Sequence, residues 1–168
     1  MVSKGLSPLL GFDHSLAVTQ DLEAIAAAYR RLGFTLTPRG RHIGWGTANY
    51  CIMFASDYIE VLGIIDDRQF VNHLDVHLAD RGPGLSGVAF ATSDAKAVHD
   101  RLLAAGLGDQ QRDLARLIEL PSGDARLEFS LTYPATTATP GVSSFFCQHL
   151  SAGLLRQPAW LDHPNGAV

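Results

Sequence analysis

The chain of 168 residues carries only two cysteines, Cys51 and Cys147, and both sit in apolar runs. That pattern fits reduced, buried thiols of a cytoplasmic protein better than a disulfide framework. Charge is also sparse: 18% of residues are charged, the formal net charge is −4, and the arginines are scattered rather than clustered. The basic patches that bind nucleic acid or an anionic membrane surface are therefore missing. No apolar run approaches the roughly 18 residues that span a bilayer, and no basic stub leads into a short apolar segment at the start. The expected partner is a small molecule, with no nucleic acid and no membrane. What is present is an ordinary globular composition, 46% apolar. The length suits a single domain over residues 1–168, large enough to bury a sizeable core.

The chain repeats itself. A strand through Leu16 and Val18 runs into Asp21, which has the chemistry of an N-cap for a helix Leu22–Leu32. Leu22, Ile25, Tyr29 and Leu32 fall at helical spacing, and Gly33 is placed to end the helix. The same order recurs as a strand into Asp94, a helix carrying Ala95, Val98, Leu102 and Ala105, and then Gly106. The offset is constant: 94 − 21 = 73 and 106 − 33 = 73. Two strand–cap–helix–glycine units at one fixed separation indicate a duplicated chain.

Three strands follow each helix. In the first half they read as Thr35–Arg39, Ala48–Phe54 and Tyr58–Ile64, and in the second as Ala115–Leu120, Arg126–Leu131 and Ser143–His149. Each half is thus a βαβββ module, over residues 10–65 and 85–150. Residues 66–84 read as a polar connection broken by Gly82-Pro83-Gly84, and 151–168 as a tail with a short helix. A sheet from one half cannot bury both faces alone. Two halves side by side can curl into a half-open, cup-shaped barrel with the helices outside, an α+β fold.

Within that frame one residue stands out. Alternation of Phe12, His14, Leu16 and Val18 puts an imidazole on the same face as apolar side chains. A polar group aimed at a core costs a few kcal/mol unless something bonds it. Either a neighbour satisfies His14, or a metal or substrate does. Glu60 raises the same issue between Ile59 and Val61 in a mostly buried strand. In the curled sheet His14 and Glu60 approach one another, and an imidazole with a carboxylate can hold a divalent ion. Without metal, a desolvated Glu60 with a raised pKa would serve as a general base.

Other residues have a functional and a structural reading that the sequence leaves open. Arg39, Arg41 and His42 lead into the glycine-rich aromatic loop around Trp45, which suits a carboxylate or phosphate at a cavity mouth or simply a hairpin with surface arginines. Asn49 and Tyr50 alternate in the next strand, so one of the two faces inward. His73 and His77 form an i, i+4 pair without a third ligand and read as surface histidines. His99 reads as exposed. His163 precedes a proline in a tail that can fold over the cavity or be purely structural. Cys147 with His149 has the form of a nucleophile and base, but nothing nearby lowers the thiol pKa.

Several stretches resemble a known family. These are "FDHSLAVTQDLEAIAAAYRRLGF", "TPRGRHIGWGTANYCIMF", "YIEVLGI", "FFCQHL" and "HPNGA". They are similar to the bacterial glyoxalase-like domain group of the vicinal oxygen chelate superfamily, over roughly Leu10 to Ala167. The resemblance implies metal ligands on the first and last strands of each module. His14 matches the first-strand histidine and Glu60 the fourth-strand glutamate. The second module departs from the pattern: the 73-residue offset carries His14 to Gly87, and the last strand offers Cys147, Gln148 and His149 instead of a glutamate. His14, Glu60 and His149 would then be a two-histidine, one-carboxylate set for Fe, Mn, Zn or Ni, with a metal-free site the alternative. The implied activity is metal-assisted proton transfer, isomerisation or bond cleavage on a small carbonyl or vicinal-oxygen compound, of lyase, isomerase or dioxygenase type. Arg41, His42, Trp45, Asn49 and Tyr50 would contact substrate. The rival is a metal-free protein that sequesters an aromatic or hydrophobic compound. A homodimer is implied as well.

Overall fold

The first strand, β1 (Leu9–Thr19), ends where Thr19 and Asp21 begin a helix, α1 (Leu22–Arg31). The Asp21 carboxylate accepts from the Ala24 N–H at 2.9 Å and caps it. The second unit is built alike: β5 (Gly84–Thr92), then α3 (Ala95–Ala104), with Asp94 accepting from the Ala97 N–H at 2.9 Å. Gly33 and Gly106 both take positive φ, 81° and 69°, as a helix stop requires. The computed structural model describes residues 8–168. Residues 1–7 of the predicted 1–168 unit lie outside the described residues.

The strands after the helices are β2 (Gly40–His42), β3 (Thr47–Met53) and β4 (Tyr58–Ile64), then β6 (Gly108–Ile118), β7 (Ala125–Pro134) and β8 (Ser143–His149). The expected strand Thr35–Arg39 is displaced to Gly40–His42. Pro38 has no N–H to give to a ladder, and only Thr37 pairs with Cys51 in that stretch, its N–H on the Cys51 carbonyl at 2.8 Å. β6 is longer than expected and starts seven residues earlier, at Gly108 instead of Ala115. Its added residues, Asp109 to Asp113, are largely solvent-facing, which hid them from a search for apolar runs.

Strand order around the ring is β1-β4-β3-β2-β6-β7-β8-β5. Within each half the first and last strands are parallel neighbours and the rest antiparallel, so both modules have the same internal order. β1 pairs with β5, and β2 with β6 through Gly40, Arg41 and His42, so the ladder runs all the way round the cup. The interior is packed at one end by Cys51, Met53, Ile118, Leu127 and Leu155, over which the tail lays Trp160 and Leu161. The tail carries two one-turn helices, α4 (Ala152–Leu155) and α5 (Pro158–Leu161). At the other end a helix from the connection, α2 (Leu74–Arg81), packs Leu74 and Leu78 against Val18, Leu62 and Ile64. The connection is thus structured, and it forms one side of the cavity mouth.

The outer face of β3 lies under α1, where Ala48, Tyr50 and Val61 meet Leu22 and Ala26. No described helix is long and apolar enough to cross a membrane.

Candidate active site

The cavity encloses about 620 Å³, with His14, Tyr58 and Glu60 deep inside and Trp45 and α2 toward the mouth. His14 is 3% exposed and stacks on Tyr58, ring centroids 4.3 Å apart. Its Nδ1 lies 2.7 Å from Asp13 Oδ2, and its Nε2 lies 3.5 Å from Glu60 Oε2. The neighbour that satisfies the imidazole is therefore the preceding residue, which strict alternation would send to the outside. A β-bulge explains this. The β1–β5 register steps from Phe12↔Phe90 directly to His14↔Ala89, so Asp13 is an extra residue and both 13 and 14 are buried.

Asp13 also holds His149, whose Nε2 stands 2.9 Å from Oδ2 and 3.1 Å from Oδ1. Burial raises the Asp13 pKa, but hydrogen bonds from His14 and His149 outweigh it and leave the carboxyl well below the usual range. On β8 the inward side chains are Phe145, Cys147 and His149. Gln148 faces out and accepts from the Ala95 N–H at 3.0 Å. The expectation that His149 completes a set with His14 and Glu60 is corrected in one respect, since its Nε2 is engaged by Asp13. Among the described residues the donor group whose ligand atoms lie within 4.8 Å of one another is Asp13, Cys147 and His149. Burial raises the Cys147 thiol far above its ordinary value, which speaks against a nucleophile.

Glu60 is fixed from the β3 side, where the Asn49 amide donates to its Oε1. Gly40 makes room for this contact: a Cβ there would stand 2.0 Å from Asn49 Oδ1 and 3.1 Å from Arg116 Nη1. The expected raised pKa of Glu60 is also corrected. Burial does raise it, but His14, Arg116, His42 and the Asn49 hydrogen bond together bring it below 4.5. Glu60 is therefore a carboxylate at neutral pH. His42 lines the cavity with Nδ1 3.0 Å from Thr47 Oγ1, and burial lowers its pKa, so it is neutral.

Three predicted substrate contacts lie elsewhere, the first being Asn49, which is fully buried behind Glu60 and not part of the cavity wall. Tyr50 points away from the cavity, donating to Glu23 at 3.0 Å beneath Arg30. Arg41 is held on the surface by Glu119 at 3.1 Å and Asp124 at 3.3 Å. Trp45 and His42 line the cavity. His73 and His77 also reach its lining from the α2 end, and His99 is half-buried against Thr132 Oγ1 at 3.0 Å rather than exposed. His163 faces neither cavity nor solvent. It accepts from the Thr35 N–H at 3.0 Å and its Nε2 lies 2.9 Å from the Met53 carbonyl, which fixes its role as structural.

Sequence reasoning missed Asp13 and Arg116. Asp13 left no signal in the pattern, because a bulge is decided by pairing. Arg116 did leave one, standing at i+2 spacing between Leu114 and Ile118 on an apolar face.

The donor chemistry fits a divalent ion held by His14 and Glu60. Ligands about 2.1 Å from a tetrahedral ion stand about 3.4 Å apart, near the separation of Nε2 and Oε2. A carboxylate on the far nitrogen of a ligating histidine is the usual outer support, and Asp13 is so placed.

A two-module ring of strands around such a cavity defines a protein of the vicinal oxygen chelate class. The Glyoxalase-like domain family matches residues 12–168, and the chain belongs to it. A hypothetical protein from Staphylococcus aureus superposes with TM-score 0.69 at 18% identity, over 83% of this chain and 59% of that one, so this chain spans about three fifths of that relative. Methylmalonyl-CoA epimerase from Mycobacterium tuberculosis gives 0.65 at 20% identity, over 92% and 98%. The Streptomyces coelicolor methylmalonyl-CoA epimerase, in complex with 2-nitronate-propionyl-CoA, gives 0.64 at 21%, over 85% and 99%. No curated protein matches the chain at a significant level.

Proposed function

We propose that the cavity catalyses proton transfer or isomerisation on a small carbonyl or vicinal-oxygen compound, with His14 and Glu60 as the reacting pair. The observation that carries this reading is the pair itself: an imidazole nitrogen and a carboxylate oxygen, both buried in the cavity wall, facing each other at 3.5 Å. Asp13 holds the Nδ1 edge of the ring, which turns the Nε2 edge toward Glu60. Glu60, already ionised and oriented by Asn49, accepts a proton from the carbon next to a substrate carbonyl. Apolar walls at Leu16, Leu114, Leu131 and Phe145 flank that exchange. His14 and Glu60 would hold a divalent ion, which would supply Lewis-acid polarisation of the substrate oxygen. The isomerase chemistry named for the structural neighbours supports a reaction of this type.

The test is deuterium exchange from solvent into a panel of small 2-oxo and 2-hydroxy carbonyl compounds, followed by proton NMR. Wild-type protein is expected to exchange at least one compound. Glu60→Gln is expected to slow that exchange about 100-fold or more, the usual contribution of a positioned base. Metal content of protein purified without chelator is expected to fall in His14→Gln. Tight ligand binding with no exchange, unchanged in Glu60→Gln, would establish sequestration instead.

A further inference from the structure

The cavity wall holds a charge whose hydrogen-bond donors are mostly unspent, although its field helps keep Glu60 ionised. Arg116 is 3% exposed, yet its guanidinium has one hydrogen bond among the described residues, Nη1 to Cys51 Sγ at 3.4 Å. Its Nε is buried without a partner, and Nη2 bonds to no described residue. No described carboxylate lies within 4.0 Å of it as an ion pair, though Glu60 acts on it from a distance. The ring of Phe129 lies under the guanidinium, 5.6 Å from centroid to Cζ. Arg39 and Arg41, by contrast, rest on Glu119 at the surface. Arg116 is buried in the wall beside His42 and opposite the strands of His14 and Glu60.

An unpaired buried guanidinium is costly unless its remaining donors meet an acceptor. Nη1 is spent on Cys51 and Nε is shut inside the wall, so the terminal Nη2 is the donor left to the cavity, where it can give a charge-assisted hydrogen bond to a carboxylate oxygen. We infer that Arg116 is the anchor for a carboxylate carried by the molecule that this cavity takes. The inference deepens the proposed function and rests on the reading of this cavity as the substrate site. It narrows the substrate class to a small carboxylic acid with an apolar body. The acid group sits on Arg116, the hydrocarbon lies along Leu114, Leu131 and Phe145, and the reactive carbon is left toward Glu60.

The probes are phenylacetate and its amide, phenylacetamide, of equal size and differing by one charge. Chelator-treated protein is titrated calorimetrically with each, so that no bound metal competes for the acid. The acid is expected to bind at least about tenfold more tightly than the amide, as a charge-assisted pair demands. Arg116→Gln is expected to remove that preference and Arg116→Lys to reduce it. A second measurement does not depend on the variants folding. In protein with 15N-labelled arginine, the buried Nε–H signal is expected to move with phenylacetate and stay in place with phenylacetamide. Equal affinity for acid and amide, absence of acid binding up to millimolar concentration, or a preference that survives in Arg116→Gln overturns the inference. Each of these leaves the deuterium-exchange result untouched, and loss of exchange in Glu60→Gln is decided without reference to Arg116.

Discussion

Replacing Asp13 by asparagine tests the arrangement at its hinge. The carboxylate accepts from His14 at 2.7 Å and from His149 at 2.9 and 3.1 Å, all within a site where Asp13 itself is 2% exposed. Hydrogen bonds to a charged group contribute about 1.5–3 kcal/mol each, against about 1 for a neutral pair. The amide keeps the shape, can still accept on one side, and turns an N–H donor toward the other imidazole. The expected loss is therefore about 2–4 kcal/mol, read as a shift in the urea midpoint without a change in slope. A pH series adds a second arm. The unfolded carboxyl takes its proton as the pH falls through the ordinary 3.8, while the folded one resists to lower pH. The unfolded state thus binds more protons, and wild-type stability falls toward acid by about 1.4 kcal/mol per pH unit from this group. Asp13→Asn lacks that component and is expected to show a shallower acid slope. A loss below about 0.5 kcal/mol at neutral pH, with an unchanged acid slope, refutes the claim that Asp13 holds both imidazoles.

Other outcomes follow from the same geometry. His42 titrates below its ordinary 6.5 because of burial, so the unfolded chain protonates first and stability is expected to decline as pH falls below 6.5. His42→Asn is expected to remove that portion of the decline, measured by thermal melts from pH 7 to 5. His163→Ala leaves the Thr35 N–H and the Met53 carbonyl without their partner and empties space between Phe34 and Phe54. Its expected cost is about 2–4 kcal/mol in urea unfolding, with no change in ligand affinity. Gly40→Ala drives a methyl into Asn49 Oδ1 and is expected to destabilise the fold by about 1–3 kcal/mol and slow deuterium exchange through Glu60. Native Cys147 is expected to react with an aromatic disulfide reagent at pH 8 at least about 100-fold more slowly than after unfolding, since burial holds it as the thiol.

How much of this was legible beforehand depended on range. The two strand–aspartate–helix–glycine units were readable because a cap, a helical period and a stop are each settled within a dozen residues. The inward direction of His14 and Glu60 followed from period-2 alternation, and the structure brings the two to 3.5 Å. Alternation failed at Asp13, where a bulge against β5 adds a residue that the strand's own sequence does not mark. It left Asn49 and Tyr50 undecided, because both faces of β3 are buried and only the packing of α1 shows which is outside. Arg41 and His42 adjoin in sequence, yet one meets Glu119 on the surface and the other lines the cavity.

The amino-acid sequence by itself determined the local units, their duplication and the parity of the strands, since these rest on neighbouring residues and on the backbone's own periods. Only the tertiary structure decided which polar groups share the interior. Asp13 meets His149 across 136 residues, Arg116 meets Cys51 across 65, and His163 reaches Met53 across 110. Contacts of that span depend on how the two halves close into one ring, and burial then sets whether each group is charged, neutral or in need of a partner.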